Sequence, residues 1–249
     1  MRTLRLTGPA GGAALGGCLM LLIGTMDASS TPAGAATYYV SNDGSDDNDG
    51  ASPDRPWRTI RRVNAQQLRP GDVVLFRRGD QWREQLVPHS GDESAHVTYG
   101  AYGAGPKPLL LGSVARNDPG DWRQEAPNVW ATYSAALRVD VGNIIFDGGG
   151  SCGAKVWSEN DLQQQGQYWY DERSRVLKLY SSECPATYYS EIECALRRHI
   201  VNESNAHYVI YENLALRYGG AHGIGGANTH HIVVRDCDLS YIGGGDQYG

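Results

Sequence analysis

The sequence predicts an all-β chain of short stacked strands, on three observations. Gly 32 and Tyr 15 against Phe 2 in 249 residues give a turn-rich composition. No helical periodicity is sustained over long windows, which leaves strands and turns as the main elements. The third observation is a repeat at an offset of 23 residues, in which Asn205 falls on Asn228, His207 on His230, Asn213 on Asp236, Leu216 on Leu239, Tyr218 on Tyr241 and Gly220 on Gly243. Each copy reads as a β-branched strand, an Asn/Asp turn, a second alternating strand, then glycines. A period in the twenties built from short strands marks a coiled β architecture. Successive turns of such a coil stack at the strand spacing of about 4.8 Å.

Taken in order, residues 1–36 are expected to be a secretory signal peptide. Arg2 and Arg5 precede an apolar stretch from Ala13 to Met26, and small residues follow. Cleavage is expected near Ala35 or Ala36, and the mature product would be secreted, extracellular or periplasmic. A lipoprotein signal at Cys18 is disfavoured because the apolar run follows the cysteine instead of preceding it. The acidic loop SNDGSDDNDG (41–50) does not fit the EF-hand spacing and reads as a polar turn. In RPWRTIRRVNAQQL the spacing of Trp57, Ile60, Val63 and Leu68 suits one helical face, with Pro56 in the first turn. That helix would plug the exposed end of the coil. DVVLFRRG, HVTYGAYG and KPLLLGS are short apolar strands, and VGNIIFDGGG (141–150) resembles the coil segment AHYVIYENLA. Residues 151–190 interrupt the coils, with QYWYDERSRVLKLY a hairpin turning at DERS. The last copy is followed only by GDQYG, so further coils and a cap are expected to be missing from the C-terminus.

These segments carry a family resemblance. The chain resembles the pectate-lyase-like superfamily of right-handed parallel β-helix proteins. In its secreted members a first strand, an Asp/Gly loop, a capping helix and PGD lead into the first coil, as in residues 38–87 here. The resemblance spans residues 37–249 and implies a single-stranded right-handed parallel β-helix with an N-terminal capping helix, an inserted β-hairpin and a truncated C-terminus. It also implies a polysaccharide partner. It does not imply one reaction, because the fold hosts many chemistries.

Without residues 1–36 the chain keeps 20 basic and 27 acidic residues, a net charge of −7. That balance excludes a nucleic-acid partner, which needs a basic face. No apolar stretch beyond the leader is long enough to span a membrane. Oligomeric state is open. Among the cysteines left after the leader, Cys152 and Cys184 sit in polar, turn-like stretches and are expected to form the one disulfide. Cys194 and Cys237 take inward positions as small apolar fillers.

The candidate catalytic residues are His222 and Asp246. The offset puts them one position out of step on adjacent coils, where a carboxylate could fix the tautomer of a histidine base. The alternative is two surface residues flanking a glycine turn. Candidate substrate-binding residues are Arg217, His231 and Trp169. Arg217 would supply positive charge to a uronate. His231 begins a strand beside His230, with the two side chains expected on opposite faces. Trp169 would offer a flat ring on the face of the hairpin opposite Tyr168 and Tyr170. No metal site and no cofactor are expected, with calcium the one ion left open.

The leading expectation is a secreted carbohydrate-active enzyme, a polysaccharide lyase or glycoside hydrolase. The rival is a non-catalytic adhesive β-helix that binds glycan along its length. A protein-processing enzyme finds no support, since no Gly-x-Ser-x-Gly motif occurs.

Overall fold

The computed structural model describes residues 34–244. The expected leader lies outside the described residues as far as residue 33, as do residues 245–249 and with them Asp246. The architecture is mostly β. Three parallel sheets form its first part. One joins Thr37–Val40, Val73–Arg77, Val97–Tyr102, His207–Glu212 and His230–Arg235, in that spatial order. A second joins Gln81–Trp82, Leu109–Leu111, Ala215–Gly219 and Asp238–Ile242. The third is short: Val201–Asn202 pairs with Ile224–Gly225, and Leu86 bridges Val201 on the other edge.

From His207 onward the chain visits the first, second and third sheets in turn and then returns to the first. Partners on neighbouring rungs are 23 residues apart, as in Val201↔Ile224, His207↔His230 and Leu216↔Leu239. Strand alternation sends one side chain in two toward a shared interior. Val74, Phe76, Val97, Tyr99, Val209 and Tyr211 from the first sheet meet Trp82, Leu110 and Leu216 from the second. Leu86, Ile200 and Val201 close the third side. Each large side chain so buried contributes roughly 1.5–3 kcal/mol.

The rungs share backbone detail as well as side chains. Asn205 and Asn228 have φ of 63° and 58°, Tyr208 and His231 both 55°, Asn213 and Asp236 58° and 52°, Tyr218 and Tyr241 58° and 54°. Each pair obeys the same offset. A left-handed non-glycine residue costs on the order of 1–3 kcal/mol and persists where the surroundings over-determine it. At Asn213 and Asp236 the kink turns the chain from the first sheet into the second. At His231 it overturns an expectation. His230 and His231 do not face opposite ways, because the left-handed backbone of His231 brings its Nδ1 to 2.8 Å from that of His230.

The expected helix is shorter than its apolar spacing suggested, covering Ile60–Ala65. Pro56 and Trp57 lie outside it, and Trp57 bridges Val40 as an extended residue. The start is fixed by Thr59, whose hydroxyl accepts from the Arg62 amide, as an N-cap does. The Asp46 carboxylate in turn takes the Arg58 and Thr59 amides and the Thr59 hydroxyl. The acidic loop therefore supports a helix cap. Ile60 and Val63 enter the core of the coil.

Between Leu111 and Val201 the chain leaves the parallel sheets. Ser113–Ala115, Val141–Phe146, Ser151–Cys152 and Ile192–Leu196 make an antiparallel four-stranded sheet. Arg123–Ala126, Val129–Tyr133, Ala154–Lys155, Gln167–Asp171 and Val176–Tyr180 make a five-stranded one. The hairpin at DERS forms, with Tyr168 opposite Leu179 and Tyr170 opposite Leu177. The excursion starts well before residue 151, however, and the 141–150 segment is not a parallel rung. Its alternating Ile144 and Phe146 pack with Leu177, Leu179, Ile192 and Cys194 in a second core, which a period of two serves equally well. The excursion rests on the coil where Gly142 meets Gly220. A Cβ at Gly142 would stand 2.4 Å from the Gly220 carbonyl oxygen, so the backbones touch.

The expected disulfide is absent. Cys152 and Cys184 are both free thiols. Cys152 is held on the edge strand beside Ile145, whereas Cys184 caps the short helix Pro185–Tyr188 with its sulfur toward the Pro119 carbonyl. Cys194 is fully buried, and Cys237 packs partly buried against the first core.

Candidate functional site

Among the described residues, a cavity on the third sheet groups two imidazoles with a carboxyl. About 470 Å³ is lined by His199, Glu203, His222, Ile224, Gly225 and Gly226. The local sequence explains the grouping. His199 stands just before strand Val201–Asn202 and His222 just before Ile224–Gly225, the same offset of 23 that pairs the strands. The Ile200 amide donates to the His222 carbonyl and the Glu203 amide to the Gly225 carbonyl, at 3.2 and 3.0 Å. Gln85 holds the His199 carbonyl through its side-chain amide at 2.7 Å. The imidazoles thus stack on neighbouring rungs, centroids 5.2 Å apart and tilted by 36°. Gly225 keeps the space open, since a Cβ there would lie 2.9 Å from His199 Nδ1 and from His222 Cβ.

The electrostatics differ from group to group. Glu203 is 8% exposed, and burial pushes its carboxyl above the usual glutamate value. The Tyr211 hydroxyl, 3.5 Å from Oε2, offsets this only in part. Burial first, and the charge of His222 second, push the His199 imidazole below its usual value. His222 is exposed at the mouth. The cavity therefore presents a carboxyl inclined to hold its proton beside an imidazole inclined to be neutral. That is an acid and a base in one recess.

The sequence-predicted residues do not share this recess. His222 is in it; Asp246 lies outside the described residues, so their pairing is not visible. Arg217 is exposed on the second sheet and lines a groove of about 360 Å³ with Arg83, Glu191, Glu193 and Tyr218. There Arg83 grips the buried Glu193 with two bonds of 2.7 Å, and the Ser113 hydroxyl adds a third. His231 stacks on Tyr208 at 4.4 Å, on the first sheet. Trp169 is half-buried on the excursion, beside Lys155, Trp157, Tyr170 and Arg197. Tyr168 and Tyr170 are the buried face of that strand, as expected. Asp238 is paired with Lys107 at 2.9 Å.

His199 and Glu203 escaped the sequence reading. The signal was there, because extending the 23-residue alignment upstream past Asn205 drops His199 onto His222 and Glu203 onto Gly226.

No family model matches the chain. The lacto-N-biosidase of Bifidobacterium longum subsp. longum is 32% identical over an alignment of 107 residues, a match that covers 40% of this chain and 7% of that protein. A solved complex of XylC with xylose superposes with a TM-score of 0.57 at 16% identity, over 74% of this chain and 35% of that one. A GH136 lacto-N-biosidase from Eubacterium ramulus superposes with a TM-score of 0.44 at 20% identity, over 84% of this chain and 28% of that one. The chain thus spans under a tenth of the curated relative it matches, and the XylC likeness is a likeness of fold.

Proposed function

We propose that this chain is part of a secreted, carbohydrate-active protein built on a right-handed parallel β-helix, and that it cleaves a glycan by glycosidase chemistry in the His199–Glu203–His222 cavity. The observation that carries the reading is Glu203, a carboxyl whose burial favours the protonated form at the wall of an open recess. Support comes also from the 32% identity to a protein named for glycosidase activity. In this reading Glu203 gives its proton to the departing glycosidic oxygen as the C–O bond breaks. Hydrolysis needs a second carboxylate across the sugar, about 5–5.5 Å away for retention or 6.5–9.5 Å for inversion. Among the described residues Glu203 is the cavity's carboxylate.

Lyase chemistry is the second reading, favoured by His199. An imidazole kept neutral by burial is a competent base for the proton α to a uronate carboxylate. Incubating the full-length protein with neutral and acidic glycans separates the readings. New reducing ends alone indicate hydrolysis, and new ends with unsaturated-product absorbance indicate a lyase. Binding without either means an adhesive protein and sinks the enzymatic proposal.

A further inference from the structure

Asp72 is a carboxylate without a counter-charge. It is 2% exposed, at the turn leading into strand Val73–Arg77. Its Oδ2 accepts the Arg69 amide at 2.9 Å and its Oδ1 the Ala36 amide at 2.7 Å. Among the described residues no basic side chain comes within 4.0 Å of it. The two amides satisfy its oxygens with hydrogen bonds, and a cation at one of those positions would add a Coulombic attraction to them.

The sequence supplies one. Ala33-Gly34-Ala35 has the small-x-small form that precedes a leader cleavage site, and Ala36 follows it. We infer that the leader is cut between Ala35 and Ala36 and that Asp72 receives the resulting α-ammonium as a part-buried ion pair. The inference rests on the secretion reading above. In the cut, a leader-removing peptidase adds water across the peptide bond. The hydroxyl goes to the Ala35 carbonyl carbon, which becomes a carboxylate. The Ala36 nitrogen keeps the bond's electron pair, gains a proton, and at neutral pH a second. The nitrogen already 2.7 Å from Oδ1 thereby acquires a full charge with no movement of the chain. The Ala36 carbonyl stays engaged by the Val73 amide at 2.8 Å, which continues the first sheet. A cut one residue later would leave Thr37 first and strip Oδ1 of its donor.

The test begins with expression of the full-length chain in a secreting host and sequencing of the exported N-terminus. Ala36 as the first residue is expected. Any other first residue overturns this inference while leaving secretion intact, and an uncut chain retained in the cell overturns the secretion reading as well. The second measurement is the pH profile of α-amine acylation, followed by mass spectrometry. In the folded wild type its midpoint should lie about one unit or more above that of the unfolded chain, a tenfold smaller neutral fraction at neutral pH. Asp72→Asn should erase the shift. If that variant does not fold, the folded-against-unfolded comparison decides alone, and coincident midpoints overturn the ion pair.

Discussion

His199 and His222 occupy equivalent places on successive rungs of the third sheet, their ring centroids 5.2 Å apart. Such a pair is electrostatically coupled, and the charge of His222 is the lesser of two causes holding His199 below its usual pKa, burial being the greater. Replacing His222 by alanine should therefore move the His199 imidazole part of the way back toward 6.5 without reaching it. An NMR titration of the His199 ring reads this directly. A downward move, or none, would mean that the rings do not sense each other.

Glu203 links the cavity to stability. Its folded pKa lies above the ordinary 4.5, so the folded state holds the proton more tightly than the unfolded one. The resulting stabilisation is complete below pH 4.5 and is lost as pH rises through the folded value. Glu203→Gln stays neutral throughout. Urea melts of both proteins from pH 4.5 to neutrality should show a shallower decline for the variant. Parallel declines would place the Glu203 carboxyl in an ordinary, water-exposed environment.

The Arg83–Glu193 ion pair braces the groove below Arg217. Glu193 has only 4% of its side chain exposed, against 35% for Arg83. Arg83→Ala strips that carboxylate of its guanidinium partner, leaving the Ser113 hydroxyl bond, and should cost about 3 kcal/mol, the lower end for a broken buried pair because the arginine is partly solvated. Arg83→Met with Glu193→Met should recover much of the loss. Chemical denaturation decides it, and a single substitution that costs nothing would contradict the geometry.

Asn205 and Asn228 are joined side chain to side chain at 3.0 Å, each at a left-handed turn. Asn205→Ala gives up the hydrogen bond and strains the backbone, a loss of about 1–2 kcal/mol. Asn205→Gly gives up the bond alone, since glycine adopts that conformation freely. Thermal midpoints should fall in the order wild type, glycine, alanine. If alanine matches glycine, the kink is not strained.

The parallel pairing of the last two copies was legible because a repeat constrains many residues at once. Asn205, His207, Leu216 and Tyr218 each had to find a partner 23 positions on, and the strand register pairs His207 with His230 and Leu216 with Leu239. The 113–196 excursion was less legible. Val141–Phe146 alternates as a coil strand does, and only its neighbours decide whether it pairs in parallel or antiparallel fashion. The helix start was hidden for a different reason. Asp46 reaches Thr59 across 13 residues of sequence, a contact that no local window contains. The candidate site was half legible. His222 stood out beside its glycines, whereas Glu203 looked like one polar residue in a turn. Its significance comes from burial beside Tyr211, which sequence spacing does not express.

In the proposed reaction Glu203 delivers the proton that releases a sugar. The measurement that tests it most directly is the initial rate of reducing-end formation by the full-length protein and its Glu203→Gln variant, on whichever glycan the wild type cleaves. A loss of about 100-fold or more is expected, the usual contribution of a general acid, with the circular-dichroism spectrum unchanged. A variant that stays folded and cleaves at the wild-type rate would contradict it.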